Sequence, residues 1–198
     1  MKNKKNNNSI IKKITLAVFF VSIIMIYINH VGSKNKTAKK TEPNQTELEQ
    51  LLSFDALKDY PKTARDVVKL HCRYSKLLYG SKLSEEEMAT LCWGMRKLYS
   101  SELLFYNPDN TAIDALKKDI EAMEEEGYSY KAYALPEVSQ IKYYTQNGVE
   151  MASMEVTITL GAKKEAGYYY QQYVLVKENN LWKILAWGES KLAGEKIE

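Results

Sequence analysis

The sequence predicts an α+β protein in which an N-terminal transmembrane helix precedes about three helices packed on one face of a four- to five-stranded antiparallel sheet. Three observations predict this class. An uncharged, mostly apolar segment covers Ile14–Ser33. Apolar residues then recur at helical spacing as far as Gly127, and beyond Gly127 they alternate with polar residues at a period of two. The change of period marks the point where helices give way to strands.

Ile14–Val31 is predicted to remain in the protein as a single-pass membrane anchor. An uncharged helix of about 20 residues spans about 30 Å, the hydrocarbon thickness of a bilayer. A cleaved signal peptide is the alternative, but no small-x-small cleavage site follows the apolar run. A buried helix of a soluble protein is disfavoured because the run is apolar on all sides.

The charges divide the chain into four predicted regions. These are a cytoplasmic basic tail at 1–13, the transmembrane helix at 14–31, a polar linker at 32–47 and an α+β ectodomain at 48–192. Residues 1–40 hold nine lysines and no acid, whereas residues 41–198 hold 19 basic and 25 acidic side chains. An acidic domain binds nucleic acid poorly, because neutralisation of phosphate dominates that affinity. We therefore expect a cell-membrane protein with its C-terminal domain outside the cytoplasm and no nucleic-acid partner.

Three helices are predicted from capping residues and apolar stripes. The first covers Thr63–Gly80, and the second begins at a capping box and carries its stripe across Ser84–Tyr99. The third is predicted to have Asn107 as its cap and Pro108 at its first position. Leu48–Leu57 reads as a lead-in of one or two helical turns.

Five strand-like segments follow, joined by short turns, among them Gln146-Asn147-Gly148 and Glu178-Asn179-Asn180, that predict antiparallel pairing. They are Tyr128–Ala134, Val138–Thr145, Ala152–Leu160, Tyr168–Lys177 and Leu181–Trp187. In the clearest of them, Ile158 is expected to face the core and Thr157 the solvent. Trp182 and Trp187 lie an odd number of residues apart, so we expect them on opposite faces of the last strand.

Two segments carry a resemblance to known proteins. Asp66-Val67-Val68-Lys69-Leu70 opens a helix after Pro61, and YVLVKENNLWKILAW ends the sheet at Tyr173–Trp187. Together they resemble ectodomains of the nuclear-transport-factor-2-like superfamily, which are cone-shaped α+β folds. More narrowly, the layout resembles an uncharacterised family of N-terminally anchored proteins from low-GC Gram-positive bacteria. The resemblance implies a cone-like fold and no established activity, since some superfamily members are enzymes and many only bind or assemble.

The sequence contains no recognisable catalytic, cofactor-binding or metal-binding motif. His71 and Cys72 are adjacent, but consecutive helical residues point about 100° apart, so they do not form a dyad. His71 is expected to be a hydrogen-bonded histidine in or beside the core. Cys72 and Cys92 are too few for a structural zinc site. Cys72 is placed away from the centre of its helix's apolar stripe, and both a disulfide between the two cysteines and two free thiols remain open.

Tyrosine is unusually abundant, with 15 in the chain. The pattern fits ordinary packing in strands, and it also fits an aromatic surface for a glycan, a peptide or a small apolar ligand. The candidate surface residues are Tyr143, Tyr144, Tyr168, Tyr169, Tyr170 and Trp187.

The sequence thus favours a non-catalytic, membrane-anchored domain that binds a ligand or a partner at the cell surface. The partner is expected to be a protein, a peptide or a glycan, and no cofactor is expected. Two alternatives stay open: an enzyme that uses the interior of a cone-like fold, and a structural assembly module of an envelope complex.

Overall fold

The computed structural model describes residues 45–162 and 167–190. The predicted anchor at Ile14–Val31, the basic tail and most of the linker lie outside these residues. Within the described part, no helix is both long and apolar enough to cross a membrane.

Five α-helices fill the first half of the described chain. They are α1 at Gln45–Leu52, α2 at Ala64–Gly80, α3 at Glu85–Arg96, α4 at Ser101–Tyr106 and α5 at Asp109–Glu125. The three longest, α2, α3 and α5, are the helices that the apolar stripes predicted, and α1 is the expected lead-in. The short helix α4 was not predicted.

The predicted caps of α2 and α3 are confirmed. The side chain of Thr63 accepts a hydrogen bond from the backbone N–H of Asp66 at the start of α2. Ser84 and Glu87 form both bonds of a capping box at the start of α3. Each cap satisfies backbone donors that have no partner inside the helix.

The prediction that α3 continues to Tyr99 is wrong, because the backbone after Arg96 bonds to the sheet instead. The N–H of Ile184 donates to the carbonyl of Leu98, and the N–H of Ser100 donates to the carbonyl of Ile184, both at 2.8 Å. The carbonyl of Leu98 and the N–H of Ser100 are therefore not available for the hydrogen bonds that would continue the helix.

The predicted start of α5 is also displaced by one residue. The side-chain amide of Asn107 donates to the carbonyl of Leu103 at 2.9 Å, so Asn107 ends α4 and does not cap α5. Pro108 takes the capping position, and α5 begins at Asp109.

The strands form a single antiparallel sheet of five, as predicted. They are β1 at Tyr128–Ala134, β2 at Lys142–Gln146, β3 at Val149–Ala162, β4 at Gly167–Glu178 and β5 at Leu181–Glu189. A 3-10 turn at Val138–Gln140 replaces the first part of the strand expected at Val138–Thr145. One edge of β3 pairs with β4, which pairs with β5, and the other edge is shared by β1 and β2.

The helices cover one face of this sheet. Alternate residues of β3 are buried against them, as the alternation predicted: Ala152, Met154, Val156 and Ile158. Helix α2 lies innermost and packs on β1, β5 and α3. Because α2 is enclosed on most sides, Cys72 is fully buried even though it lies away from the stripe of Val67, Tyr74 and Leu78.

Trp182 and Trp187 face the same side of the sheet, which contradicts the prediction from their spacing. The register of β5 against β4 shifts between Ile184 and Ala186, so one extra residue is accommodated there. Trp187 lies opposite Tyr173, and Trp182 lies opposite Lys177. Directly opposed residues share a face, so both tryptophans lie on the face that the helices cover.

Candidate functional site

Two groups of aromatic side chains lie on the helix-facing side of the sheet. The buried aromatic cluster consists of His71, Tyr99, Tyr173 and Trp187. The aromatic groove is a surface hollow lined by Tyr143, Tyr144, Thr145, Glu150, Met151 and Trp182. Of these residues, Tyr144 and Met151 lie opposite each other and carry their side chains on the other face of the sheet. The two groups differ in what surrounds them and in what chemistry they allow.

His71 is the centre of a hydrogen-bonded chain in the core, where it is 2% exposed. Its Nδ1 lies 3.0 Å from the hydroxyl of Tyr173, and its Nε2 lies 3.5 Å from the hydroxyl of Tyr99. The Tyr173 hydroxyl donates to Oε1 of Gln171 at 2.9 Å. Because a hydroxyl donates one proton, Tyr173 accepts from the Nδ1–H of His71, and Nε2 accepts from Tyr99. This confirms the expected hydrogen-bonded core histidine.

Burial keeps the cluster uncharged. Desolvation lowers the pKa of His71 to about 3, so the ring is neutral at physiological pH. Desolvation also raises the pKa values of the Tyr99 and Tyr173 hydroxyls well above their ordinary value. Trp187 packs against His71 and Tyr99 with ring centroids 4.8 and 5.2 Å apart. The polar atoms of this cluster are therefore satisfied by each other.

The aromatic groove lies at the end of the sheet formed by two tight hairpin turns. Asn147 and Gly148 join β2 to β3 with φ of 52° and 80°, and Asn179 and Asn180 join β4 to β5 with φ of 50° and 64°. Asparagine and glycine adopt positive φ at low cost, and such two-residue turns match the twist of antiparallel strands. The first turn was predicted from Gln146-Asn147-Gly148.

Four side chains form one row across the strands at this end. Thr145 lies opposite Glu150 on β3, and Lys177 of β4 lies opposite Trp182 of β5. Nζ of Lys177 lies 2.6 Å from Oε2 of Glu150 and 5.7 Å from the centre of the Trp182 ring. The Tyr143 ring contacts the Trp182 ring with centroids 5.7 Å apart. The groove thus combines two aromatic rings with an ion pair.

The groove lies just beyond the part of the sheet that the helices cover. Ala152, opposite Tyr143, is fully buried, whereas Glu150 is exposed two residues earlier on the same strand. Tyr143 itself is 54% exposed. The hollow has a volume of about 210 Å³. It therefore presents aromatic and charged groups to solvent at the same place.

The six aromatic residues predicted as one surface lie in three places. Tyr143 and Tyr144 line the aromatic groove, with their side chains on opposite faces of the sheet. Tyr168 and Tyr170 lie on the face of the sheet away from the helices, 72% and 37% exposed. The remaining two, Tyr169 and Trp187, face the helices and are partly buried, and the Trp187 ring packs against the buried His71.

Beyond Tyr143 and Tyr144, the residues of the groove region were not predicted, and they include Trp182, Glu150 and Lys177. Trp182 comes two residues after Asn180, and Glu150 comes two residues after Gly148. Residues at equal distance from two hairpin turns at the same end of a sheet lie in one row across the strands. The two turn signals, considered together, could have indicated the site.

Both cysteines are buried free thiols, which is one of the two states that the sequence left open. Cys72 lies on α2, where its Sγ is 3.8 Å from the Tyr173 hydroxyl, and Cys92 lies on α3. Burial raises the pKa of the Cys72 thiol to about 11 and raises that of Cys92 as well. Thiols in this state are poor nucleophiles.

A second hollow, of about 280 Å³, lies between the segment after α1 and the outer side of α2. Its lining includes Phe54, Asp59, Lys69 and Arg73. Arg73 is already paired with Glu47 of α1 at 3.2 Å. Within residues 45–162 and 167–190, no group of three or more His, Cys, Asp or Glu side chains is arranged to hold a metal ion.

Comparison with known proteins gives a family and a loose structural likeness to solved structures. No curated protein matches the chain. The crystal structure of the intermembrane space region of the chloroplast protein ARC6 is similar at 15% identity, covering 69% of this chain and 96% of that one, with a TM-score of 0.33. We transfer nothing from so loose an overlay. A family model described as Domain of unknown function (DUF6715) matches residues 1–187, and the chain belongs to that family.

Proposed function

We propose that this protein is anchored in the cell membrane through Ile14–Val31 and binds a ligand or a partner outside the cytoplasm without catalysing a reaction. The observation that carries the proposal is the aromatic groove. It offers Tyr143 and Trp182 beside the ion pair of Glu150 and Lys177. Aromatic rings supply binding energy when they lose water, and adjacent polar groups orient what binds.

The size of the groove limits what it receives. Its volume of about 210 Å³ is below the roughly 300–1,000 Å³ of pockets that enclose a small molecule. We therefore expect it to receive one sugar ring or one side chain of a longer glycan or peptide. The rest of such a ligand would extend along the surface.

The buried aromatic cluster supports binding over catalysis. His71 is the buried ionisable group that an enzyme of the cone-like type would use. Both of its ring nitrogens are taken up by tyrosine hydroxyls, and neither of the two hollows described above is lined by it. A general base must reach the proton that it removes.

The groove is tested by ligand titration of the full chain in detergent micelles. Two probes are used separately: soluble cell-wall glycan fragments and a pool of random heptapeptides. Tyr143→Ala is compared with Tyr168→Ala, whose ring is also exposed but lies on the other face of the sheet. We expect binding of one probe to the unaltered chain and to Tyr168→Ala, and roughly tenfold weaker binding to Tyr143→Ala. Equal binding by both variants would refute the groove, and conversion of a probe to product would favour the enzyme alternative.

The anchor and its orientation need a separate test. N-terminal sequencing of the protein from the membrane fraction should find the residues before Ile14 still present. Protease added to intact cells should digest the domain. A mature start near Lys34 would contradict the anchor, and a protected domain would contradict the orientation.

A further inference from the structure

The outer edge of β2 is open in the described part of the chain. There, β3 is the one strand that pairs with β2, along the five residues Lys142–Gln146. All five side chains of β2 are exposed. An unpaired strand edge presents a row of backbone N–H and C=O groups that can pair with another chain.

The other two edge strands, β1 and β5, are each contacted by another segment of the chain. The end of α2 lies directly on β1, where a side chain at Gly80 would collide with the carbonyl of Tyr130. The middle of β5 bonds through Ile184 to the backbone of Leu98 and Ser100. Covering of this kind is how folded proteins commonly block unwanted strand pairing.

β2 carries only one of the usual sequence features that discourage pairing, the charge of Lys142 at its first residue. It reads Lys-Tyr-Tyr-Thr-Gln, with one charge and no proline. Its register against β3 runs without a bulge from Lys142 opposite Ser153 to Gln146 opposite Val149. Tyrosine and threonine favour extended strands.

We propose that the open edge of β2 pairs antiparallel with β2 of a second copy of this chain. The strand is self-complementary when the pairing is centred on Tyr144. Lys142 then lies opposite Gln146, and Tyr143 lies opposite Thr145, so no like charges meet. The inference goes beyond ligand binding and does not depend on the anchor.

The pairing has a consequence for the aromatic groove. A two-fold axis perpendicular to the sheet keeps the helices of both copies on the same side. On that side, Tyr143 of one copy neighbours Thr145 of the other, so the two grooves adjoin. On the opposite side, the two Tyr144 rings meet across the axis. A pairing of five residues is small compared with stable interfaces, so the dimer is weak, and the membrane would be expected to favour it by concentrating the copies.

Disulfide trapping tests the register. In the full chain in detergent micelles, Tyr144→Cys places two thiols across the two-fold axis, where opposed Cα atoms are about 4.5–5.5 Å apart and can form a disulfide. Gln146→Cys is the matched control, since two copies of residue 146 would be offset along the strands by about 13 Å. The native Cys72 and Cys92 are buried and do not compete. We expect a cross-linked dimer from Tyr144→Cys alone, and equal trapping of both variants, or of neither, would overturn the proposal.

A charge exchange tests the pairing without cross-linking. Gln146→Lys sets a lysine opposite Lys142 at both ends of the paired strands and should raise the dimer dissociation constant by roughly three- to tenfold. Combining it with Lys142→Glu should restore the dimer. Both positions are exposed, so the fold is retained. Sedimentation velocity over a range of protein concentrations gives the readout, and failure of the double variant to recover, or a monomer at every concentration, would refute the second copy as the occupant.

Discussion

The buried aromatic cluster and the aromatic groove use similar residues to opposite effect. Each contains a tryptophan of β5, a tyrosine and at least one ionisable side chain, and both tryptophans face the same side of the sheet. At Trp187 the helices cover the sheet, and His71 is held neutral by tyrosine hydroxyls. The helices do not fully cover the end of the sheet at Trp182, and the ion pair of Lys177 and Glu150 is exposed to solvent there.

This difference shows that coverage by the helices, and not residue type, decides whether an aromatic cluster is closed to solvent or open to a ligand. Under the helices, polar atoms must find partners within the protein, because an unpaired buried polar group is costly. At the open end, water can solvate the ends of an ion pair, so charges are tolerated there and remain available to a ligand. Substitutions at a covered position and at an open one should therefore differ in their effects.

The largest contrast is expected on β3. Ile158→Asp places a carboxylate among the helices and should lower the free energy of unfolding by more than about 4 kcal/mol. Thr157→Asp places it on the face away from the helices and should cost less than about 1 kcal/mol. Thermal melts of the two variants decide the matter. Equal losses would mean that the second face is also covered.

Removing one hydroxyl group should have different effects at a buried tyrosine and at an exposed one. Tyr173→Phe leaves Nδ1–H of His71 and Oε1 of Gln171 without their partner and should cost about 2–3 kcal/mol. Tyr143→Phe removes the same atom at an exposed site and should change stability by less than about 0.5 kcal/mol. Denaturant unfolding of both variants gives the comparison. A small loss for Tyr173→Phe would show that the hydrogen-bonded chain through His71 contributes little.

His71 makes stability depend on pH. Its pKa is about 3 in the folded state against 6.5 when exposed, so the unfolded chain takes up the proton first as the pH falls. The stability is complete above pH 6.5 and is lost progressively down to about pH 3, at about 1.4 kcal/mol per pH unit.

Asp119 changes the stability with pH in the opposite direction to His71. Desolvation raises the pKa of Asp119 to about 6 from 3.8, so this group costs stability as the pH rises between those values. The measurement is therefore the difference in pH slope between the unaltered chain and His71→Gln, in which the contribution of Asp119 cancels. Parallel slopes would mean that His71 can be protonated without unfolding.

The smallest effect is expected at the open end. The ion pair of Lys177 and Glu150 has side chains 29% and 60% exposed, and a double-mutant cycle of Lys177→Gln and Glu150→Gln should give a coupling of about 0.2–1 kcal/mol. The coupling should fall further in high salt. A coupling above about 2 kcal/mol would show that the row at Trp182 is shielded from water like the cluster at Trp187.

Much of the fold could be predicted because its signals are local. The caps at Thr63 and Ser84, the helical stripes and the alternation along β3 each depend on residues close together in the chain. The Asn147-Gly148 turn belongs to the same class. The candidate site was less predictable, because the row of Thr145, Glu150, Lys177 and Trp182 comes from four strands whose order the sequence does not state.

Local sequence patterns predict the α+β class, the three main helices, the antiparallel sheet and the core face of β3, since hydrophobic periodicity and capping act over a few residues. The end of α3 depends on the folded structure, because Leu98 and Ser100 bond to a strand more than 80 residues away. The folded structure also decides the faces of Trp182 and Trp187, because one extra residue accommodated in β5 reverses the alternation on which the sequence prediction relied. Long-range backbone pairing has no local periodicity, and it placed two partly buried tryptophans on the same face, Trp187 beside His71 and Trp182 in the groove.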